Sequence, residues 1–452
     1  MRSELTIDIP VGARYVMRLL ENELHHAYIV GGCVRDSLLD KEPNDWDICT
    51  SATPGEVLAL LSKHGVRTIE TGLQHGTVTA CRGFSNYEVT TFRVDGEYSD
   101  NRRPDSVEFV CDIVEDLSRR DFTINAMAYS EREGLVDPWH GRDDLKKKLI
   151  RCVRNPDDRF REDALRIMRA LRFAATYGFK IEEKTAAAIH RNKHLLKNIA
   201  AERIRSELTK MLCGDGVVDI LIEYSDVMAI IIPELGPCVG FNQNNPYHIY
   251  TVYDHIAHAV GNYKGSDVSI KMALLLHDIA KPGCYSEDVR GGHFYCHGVF
   301  GKFYAEKIVE RLKFDNKAKR EIIDLVQYHD TDIYPSVKTI RRWLNKIGPD
   351  LLNKLLYVKI ADIEAHSNRN RNPLRDRVLS VKLIVENVIA DQECFRIKDL
   401  AVNGRDIMAL GVEAGPTVGK VLNHLLTMVI DGFIANEYGP LIGEANRYLK
   451  EE

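Results

Sequence analysis

The sequence predicts an α/β head with a small mixed β-sheet, followed by an all-α neck, body and tail. Two patterns carry this. From about residue 27 to 150, short strand-like runs (AYIV, DWDICT, GTVTACR, YEVTTFR, SVEFV) alternate with helical stretches such as PGEVLALLSKHG. Beyond residue 155 strand signals nearly vanish, and amphipathic segments follow one another: EDALRIMRALRFAATYG, EKTAAAIHRNKHLLKN, AERIRSELTKMLCG. Gly178, Gly214 and Gly236 with Pro237 read as helix ends, and NQNNPYH near residue 242 is a polar break before a block rich in histidine. These signals divide the chain into a head at 1–150, a helical neck and body at 151–240, a histidine-bearing helical domain at 241–375 and a helical tail at 376–452. No internal repeat, low-complexity tract or heptad run is visible.

A chain of 452 residues with 44% hydrophobic content supports ordinary cores. The opening MRSELTIDIP has neither an apolar leader nor a basic one, and no apolar run approaches the length of a membrane span. The expectation is a cytoplasmic protein without membrane contact. Ten cysteines without a CxxC pair, among them Cys33, Cys81 and Cys111, read as reduced core thiols. A formal charge of -5 argues against indiscriminate nucleic-acid binding, yet Arg102-Arg103, Arg119-Arg120, Lys146 to Lys148 and the Arg151 to Arg172 stretch point to one basic face.

The chemistry concentrates first in YIVGGCVRDSLLDKEPNDWDICTSAT, residues 28 to 53. In a β-strand, Asp45 and Asp47 project from one face while Trp46 and Ile48 point into the core. Paired carboxylates suit Mg²⁺ ions that also hold a nucleotide's phosphates. Gly31 and Gly32 allow close backbone approach, and Arg35 follows on the next helix, which together make a phosphate cradle. Glu88, in another strand-like run, is open between a third carboxylate ligand and a solvent-facing strand residue. Three carboxylates would match phosphoryl or nucleotidyl transfer. In a helix beginning near Glu162, Asp163 lies on the flank beside Arg166, so the two can reach one ligand and read a base edge, or form a plain surface ion pair.

With these residues in place the chain resembles the class II tRNA nucleotidyltransferase and bacterial poly(A) polymerase family, most closely the CCA-adding enzymes, over about residues 27 to 236. GGCVRD and NDWDICTSATP look like the motif that binds metal and triphosphate through Asp45 and Asp47. RRDFTINAMA looks like the motif whose Asp121 contacts the ribose 2′-hydroxyl, with Arg120 and Asn125 nearby. LVDPWHGRDDL, around Asp137 and Gly141, looks like the hinge between head and neck. EDALR looks like the protein template: Asp163 and Arg166 pair with the base edge of CTP or ATP, Glu162 orients Arg166, and Arg169 and Arg172 lie close to the phosphates. TFRVDGEYSDNRRPDSVEF resembles the flexible loop that lets CCA-adding and A-adding enzymes switch from CTP to ATP, and CC-adding enzymes lack it. The implied activity is template-independent addition of CCA to the tRNA acceptor end; A-adding or polyadenylating relatives are the nearest rivals.

A second concentration lies in residues 247 to 366. MALLLHDIAK places His277 and Asp278 at the C-terminal end of an apolar helix. The series resembles an HD domain, in the order His255, His277 and Asp278, His297, His329, Asp362. Imidazole with carboxylate suits a divalent transition metal better than Mg²⁺ alone, and a metal-activated water attacking a phosphoester is the matching reaction. A phosphohydrolase acting on RNA 3′ ends or nucleotide phosphates is therefore the rival from a different class. Oligomeric state is not legible.

Overall fold

In this computed structural model, which describes residues 6–73, 76–96, 106–289, 291–369 and 371–451, helix α1 (Val11–Asn22) leads into strand β1 (Ala27–Val30), whose four residues are all buried. Then come α2 (Gly32–Leu38), β2 (Ile48–Thr50), α3 (Pro54–Lys63), β3 (Arg67–Gly72), β4 (Thr77–Arg82), β5 (Ser85–Thr91), β6 (Arg93–Asp95), β7 (Val107–Phe109), α4 (Ile113–Ser118), β8 (Ala128–Ser130) and β9 (Gly134–Val136). Seven strands form a mixed sheet in the order β3-β4-β5-β2-β1-β8-β9, and β6 pairs with β7 as a separate antiparallel ladder. The middle strand is β2. Its Ile48 stands opposite Ile29 of antiparallel β1 and Val89 of parallel β5, so the segment before β2 is delivered to the rim between those two strands. Tyr28, Val30, Cys49, Phe92, Leu117 and Ala128 close one apolar cluster behind it. Thr53 and Glu56 form a reciprocal capping box that starts α3 at Pro54.

The neck follows as α5 (Gly141–Lys147), β10 (Leu149–Ile150), α6 (Pro156–Glu162), α7 (Leu165–Tyr177), β11 (Lys180–Ile181), α8 (Glu183–Asn192), α9 (Ala201–Leu212), α10 (Val217–Glu223) and α11 (Ser225–Ile231). Gly178 ends α7 in the left-handed region at φ 64°. Head and neck form one compact unit, Met1–Gly236. The expected boundary at residue 150 falls inside it, because β10 pairs in parallel with β11 across α6 and α7.

The second unit, Pro237–Glu452, holds α12 (Val252–Asn262), α13 (Val268–Leu276), the hairpin of β12 (Tyr285–Asp288) and β13 (Gly291–Phe294), α14 (His297–Arg311), α15 (Asn316–Tyr328), α16 (Val337–Ile363, kinked at Gly348) and α17 (Arg371–Ala390). It ends in α18 (Gly404–Met408), α19 (Pro416–Ile430) and α20 (Tyr438–Glu451), which pack around Ile407, Val421, Leu425 and Leu441. The hairpin corrects the expectation of an all-helical remainder, and the boundary at 375 falls within α17. All ten cysteines are free thiols, and Cys33 is buried, but Cys111 is exposed just beyond β7, so the core reading fails there. Among the described residues no helix is long and apolar enough to cross a membrane.

Candidate active site and a histidine–aspartate cluster

Asp45 and Asp47 lie in an extended segment ahead of β2 and outside the strand itself. The last ladder bond joins the Val30 N–H to the Asp47 carbonyl at 3.0 Å, after which the Gly31-Gly32 turn carries β1's end away. Trp46 is consequently half-buried, lining a surface cavity with Lys41 and Arg142, and only Ile48 enters the core as expected. Glu88 is exposed on β5, one residue before Val89, the partner of Ile48. Partial burial pushes the Asp47 carboxyl above its ordinary value, the charges of Glu88 and Asp45 push it further, and Arg120 pulls it back. Asp47 is thus repelled by both of the other acids. The three acids are gathered loosely: among the described residues, none of the triads with ligand atoms within 4.8 Å of one another includes them.

Gly31, at φ 77°, sits where a Cβ would lie 3.0 Å from Nη1 of Arg120. Close passage of the backbone past this guanidinium is what requires glycine. On the next turn Arg35 is buried. Its Nε and Nη2 each donate to Asp36 at 2.9 Å, its Nη1 donates to Asn125 Oδ1 at 2.5 Å, and it lies 5.2 Å and 5.0 Å from the ring centres of Phe173 and Tyr177. The Tyr177 hydroxyl donates to Asp36 at 2.9 Å. Asn125 continues the chain, donating to Asp121 Oδ1 at 3.1 Å, while Arg169 donates to Asp121 Oδ2 from Nε at 2.8 Å and stands 2.6 Å away through Nη2. Burial alone would raise the Asp121 carboxyl; Arg169 and Asn125 overcome it and hold it at about 2. Arg35, Asn125 and Asp121 are thus joined to Arg169 of α7 by one hydrogen-bonded path, while Arg120 beside Gly31 pairs with Asp116 at 3.3 Å.

The base-reading segment departs from a single helix. α6 stops at Glu162, and Asp163 has φ −135° and ψ 102°. Its Oδ1 accepts from the Leu165 N–H at 3.0 Å, so the side chain expected on a helix flank instead caps the start of α7. Oδ2 faces Nη2 of Arg203 at 3.1 Å. Arg166 is buried. It donates to Glu162 at 2.7 Å and to the carbonyls of Arg159 at 3.3 Å and Arg119 at 3.0 Å, while Glu162 also pairs with Arg159. Arg172 pairs with Glu207 of α9 at 2.6 Å. Sequence reasoning missed Asp36, Asp116, Tyr177, Arg203 and Glu207. Of these only Asp36 and Asp116 carried a visible signal, as acids beside the arginines of GGCVRD and the Arg119-Arg120 pair. The Arg102-Arg103 loop lies outside the described residues; its stem is the β6-β7 ladder, where the Gly96 N–H donates to Ser106.

In the second unit the residues expected to bind metal converge. His255 Nε2 is 2.8 Å from Asp362 and 3.4 Å from Asp278; His277 Nε2 is 3.3 Å from Asp278; His297 Nε2 is 3.3 Å from Asp278 and 3.0 Å from His329 Nε2. All but Asp362 are almost fully buried. His277, His297 and His329 each place Nδ1 2.7 Å from a backbone carbonyl, of Leu274, Phe294 and Val326. Donating Nδ1–H turns the Nε2 lone pairs inward, the arrangement of metal-ligating imidazoles. Lys281 Nζ also pairs with Asp278 Oδ2 at 2.7 Å. Against the cost of burial, Asp278 and Asp362 draw a proton onto His277, raising it to about 10, and that proton supplies charge a cation would otherwise bring. The donor set fits a transition metal. His248 and His366 extend it, forming a further triad with His255.

Comparison with known proteins gives consistent matches. Residues 27–151 match the Poly A polymerase head domain, residues 178–238 the RNA and SrmB-binding site of polymerase A, and residues 301–444 the tRNA nucleotidyltransferase domain 2. The chain is 34% identical over 442 residues to the CCA-adding enzyme of Limosilactobacillus fermentum, covering 97% of both chains. It is 51% identical over 207 residues to that of Lactobacillus helveticus, covering 46% of this chain and 51% of the relative. In structure it is similar to the Bacillus stearothermophilus CCA-adding enzyme in complex with CTP, with TM-score 0.75, 28% identity and 97% of each chain covered.

Proposed function

The chain belongs to the CCA-adding enzymes, and from that premise we propose how its own residues divide the work. The enzyme adds C, C and A to the 3′ end of tRNA from CTP and ATP and releases pyrophosphate. We place it in the cytoplasm, in keeping with its free thiols. Asp45 and Asp47, with Glu88 beside them, hold Mg²⁺, which when bound activates the attacking ribose hydroxyl and neutralises charge on the leaving pyrophosphate. Arg35 and Arg120, with the turn at Gly31-Gly32, grip the triphosphate. Asp121 accepts the ribose 2′-hydroxyl, and Asn125 ties that carboxylate to Arg35. Asp163 and Arg166 face the base edge; to accept from a base amino group, Asp163 trades its contact with Arg203. Glu162 fixes the plane of Arg166. Arg169 acts through Asp121, and Arg172, held by Glu207, faces the same anionic ligand.

The observation that carries this reading is the continuous path Arg35–Asn125–Asp121–Arg169, which ties the glycine turn to the helix that bears Arg166. The test is incorporation of labelled CTP and ATP into tRNA lacking its CCA end. Asp47→Ala is expected to abolish both incorporations while tRNA binding persists; retained incorporation removes the metal assignment.

A second reading is favoured by the convergence of the Nε2 atoms of His255, His277 and His297 on the buried Asp278 carboxylate. His255, His277, Asp278, His297, His329 and Asp362 hold a divalent transition metal and support hydrolysis of a phosphoester. Asp278→Ala is expected to lose the bound metal in elemental analysis and to leave CCA addition intact; unchanged metal content overturns the assignment.

A further inference from the structure

Asp116 lies near the C-terminal end of α4 and is fully buried, so it works only through its neighbours. Those neighbours lead to different parts of the site. Oδ2 accepts from Nη2 of Arg120 at 3.3 Å, the arginine whose Nη1 would lie 3.0 Å from a Cβ at Gly31. Oδ1 accepts from Nε and Nη2 of Arg119 at 3.0 Å and 2.7 Å, and the carbonyl of the same Arg119 accepts from Nη2 of Arg166 at 3.0 Å. Oδ1 also takes the Arg93 N–H at 3.3 Å, which docks β6 on this carboxylate. Asp95 of β6 stands 3.2 Å from Nε of Arg93 and 3.8 Å from Nη1 of Arg119, so Arg119 is held from two sides.

Burial raises the Asp116 carboxyl, but Arg120 and Arg119 outweigh it, so the group lies below its ordinary value and is ionised. A buried carboxylate shared by two guanidiniums fixes both, because either can shift only by giving up a charge-assisted hydrogen bond. We propose that Asp116 is a positioning residue that keeps the base-reading Arg166 in register with the triphosphate-gripping Arg120, so that a nucleotide whose base is accepted has its phosphates at the glycine turn. The inference rests on the roles assigned to Arg120 and Arg166 above and adds what sets their spacing. Its two arms separate by substitution. In Asp116→Asn the amide oxygen stays on the Oδ1 side, where three donors meet, and the new NH₂ turns to Arg120, donor against donor. The phosphate arm is released and the base arm kept. In Arg119→Ala the pairing of Asp116 with Arg120 remains, and the brace behind the carbonyl that orients Arg166 is lost.

The test uses the full-length protein. KM and kcat are measured for CTP on tRNA lacking CCA and for ATP on tRNA ending in CC, and discrimination is the ratio of kcat/KM for the matching and the mismatching nucleotide on each tRNA. Asp116→Asn is expected to raise KM for both nucleotides about tenfold, the scale of one lost charged hydrogen bond, with discrimination unchanged. Arg119→Ala is expected to lower discrimination about tenfold with KM for the matching nucleotide held. A lower Tm with wild-type kinetics in both variants marks an ion network that only stabilises the fold and overturns the inference. The same change of KM and discrimination in both variants overturns it too. Should Asp116→Asn not fold, Arg119→Ala decides by itself, and retained discrimination overturns the positioning role. Arg120→Ala and Arg166→Ala are assayed alongside. Wild-type KM and discrimination in these two would remove the roles assigned to the arginines themselves, whereas impairment there with wild-type kinetics in Asp116→Asn and Arg119→Ala removes the positioning role alone.

Discussion

Asp121→Asn tests the network that joins head to neck. The carboxylate is 8% exposed and held at about 2, against an ordinary value of 3.8, chiefly because Arg169 outweighs the burial that opposes ionisation. The difference, from 3.8 to about 2, corresponds to about 2 kcal/mol of stability at pH 7. Because the folded-state value is depressed, that contribution is complete above the unfolded value and disappears as pH falls through the folded one: roughly half survives at pH 3 and only a small part at pH 2. The amide keeps the shape and removes the charge. Stranding a buried partner would add to the loss, but the Arg169 side chain is 34% exposed and water takes over its solvation, so the charge pairing sets the magnitude. For a unit of this size about 2 kcal/mol lowers Tm by roughly 4–8 °C. Calorimetry of wild type and variant at pH 7 and pH 3 reads both quantities. A Tm loss below about 2 °C at pH 7, or the same loss at both pH values, refutes the reasoning.

Tyr177→Phe keeps the ring 5.0 Å from Arg35 and deletes the hydroxyl that donates to Asp36; a bond to a charged group is worth about 1.5–3 kcal/mol, so KM for CTP and ATP is expected to rise together, about tenfold, with kcat held, in steady-state assays. A selective effect on one nucleotide would place Tyr177 at the base instead. Gly31→Ala puts a Cβ 3.0 Å from Arg120 at φ 77° and is expected to cost about 1–3 kcal/mol in denaturant unfolding along with most of the addition activity; wild-type behaviour removes the close-approach argument. Arg203→Ala releases one Asp163 oxygen and is expected to change the ratio of C to A incorporated on tRNAs ending before CCA and at CC, measured with labelled nucleotides. An unchanged ratio denies Asp163 the trade proposed above.

Local chemistry was legible wherever it was written in adjacent residues. The head's strands are short apolar runs between turns, Thr53-Pro54-Gly55-Glu56 announces its helix through a reciprocal cap, and HDIAK stands at the end of an apolar helix as expected. The break at Asp163 was not legible, because neither glycine nor proline marks it and Glu162, Arg166 and Arg169 keep helical phase across it; at the break the Asp163 carboxylate accepts from the N–H of Leu165, two residues on. Partners distant in sequence were equally hidden. Arg203 is 40 residues from Asp163 and Tyr177 is 141 from Asp36, and residue type at one position does not say which surface another element brings to it. His255 and Asp362, 107 residues apart, could be grouped only through the resemblance of their ordered series to an HD domain.

The hidden partners decide how selection and catalysis are coupled. Arg35 is bonded to Asp36 and Asn125, Asn125 to Asp121, and Asp121 to Arg169, while Tyr177 at the far end of α7 returns to Asp36. The loop closes on itself, with α7 held to the head at two points separated by two turns of helix. Swinging α7 as a body to fit a different base would break a charged hydrogen bond at one point or the other, at about 1.5–3 kcal/mol each. Side chains at the break carry no such penalty. Asp163 is outside the regular helix, and the proposed exchange of Arg203 for a base amino group would replace one charge-assisted bond with another. On the proposed roles, the change from C to A is therefore cheapest when it is confined to Asp163, Arg166 and what contacts them, with Arg35 and the triphosphate kept in one place for all three additions.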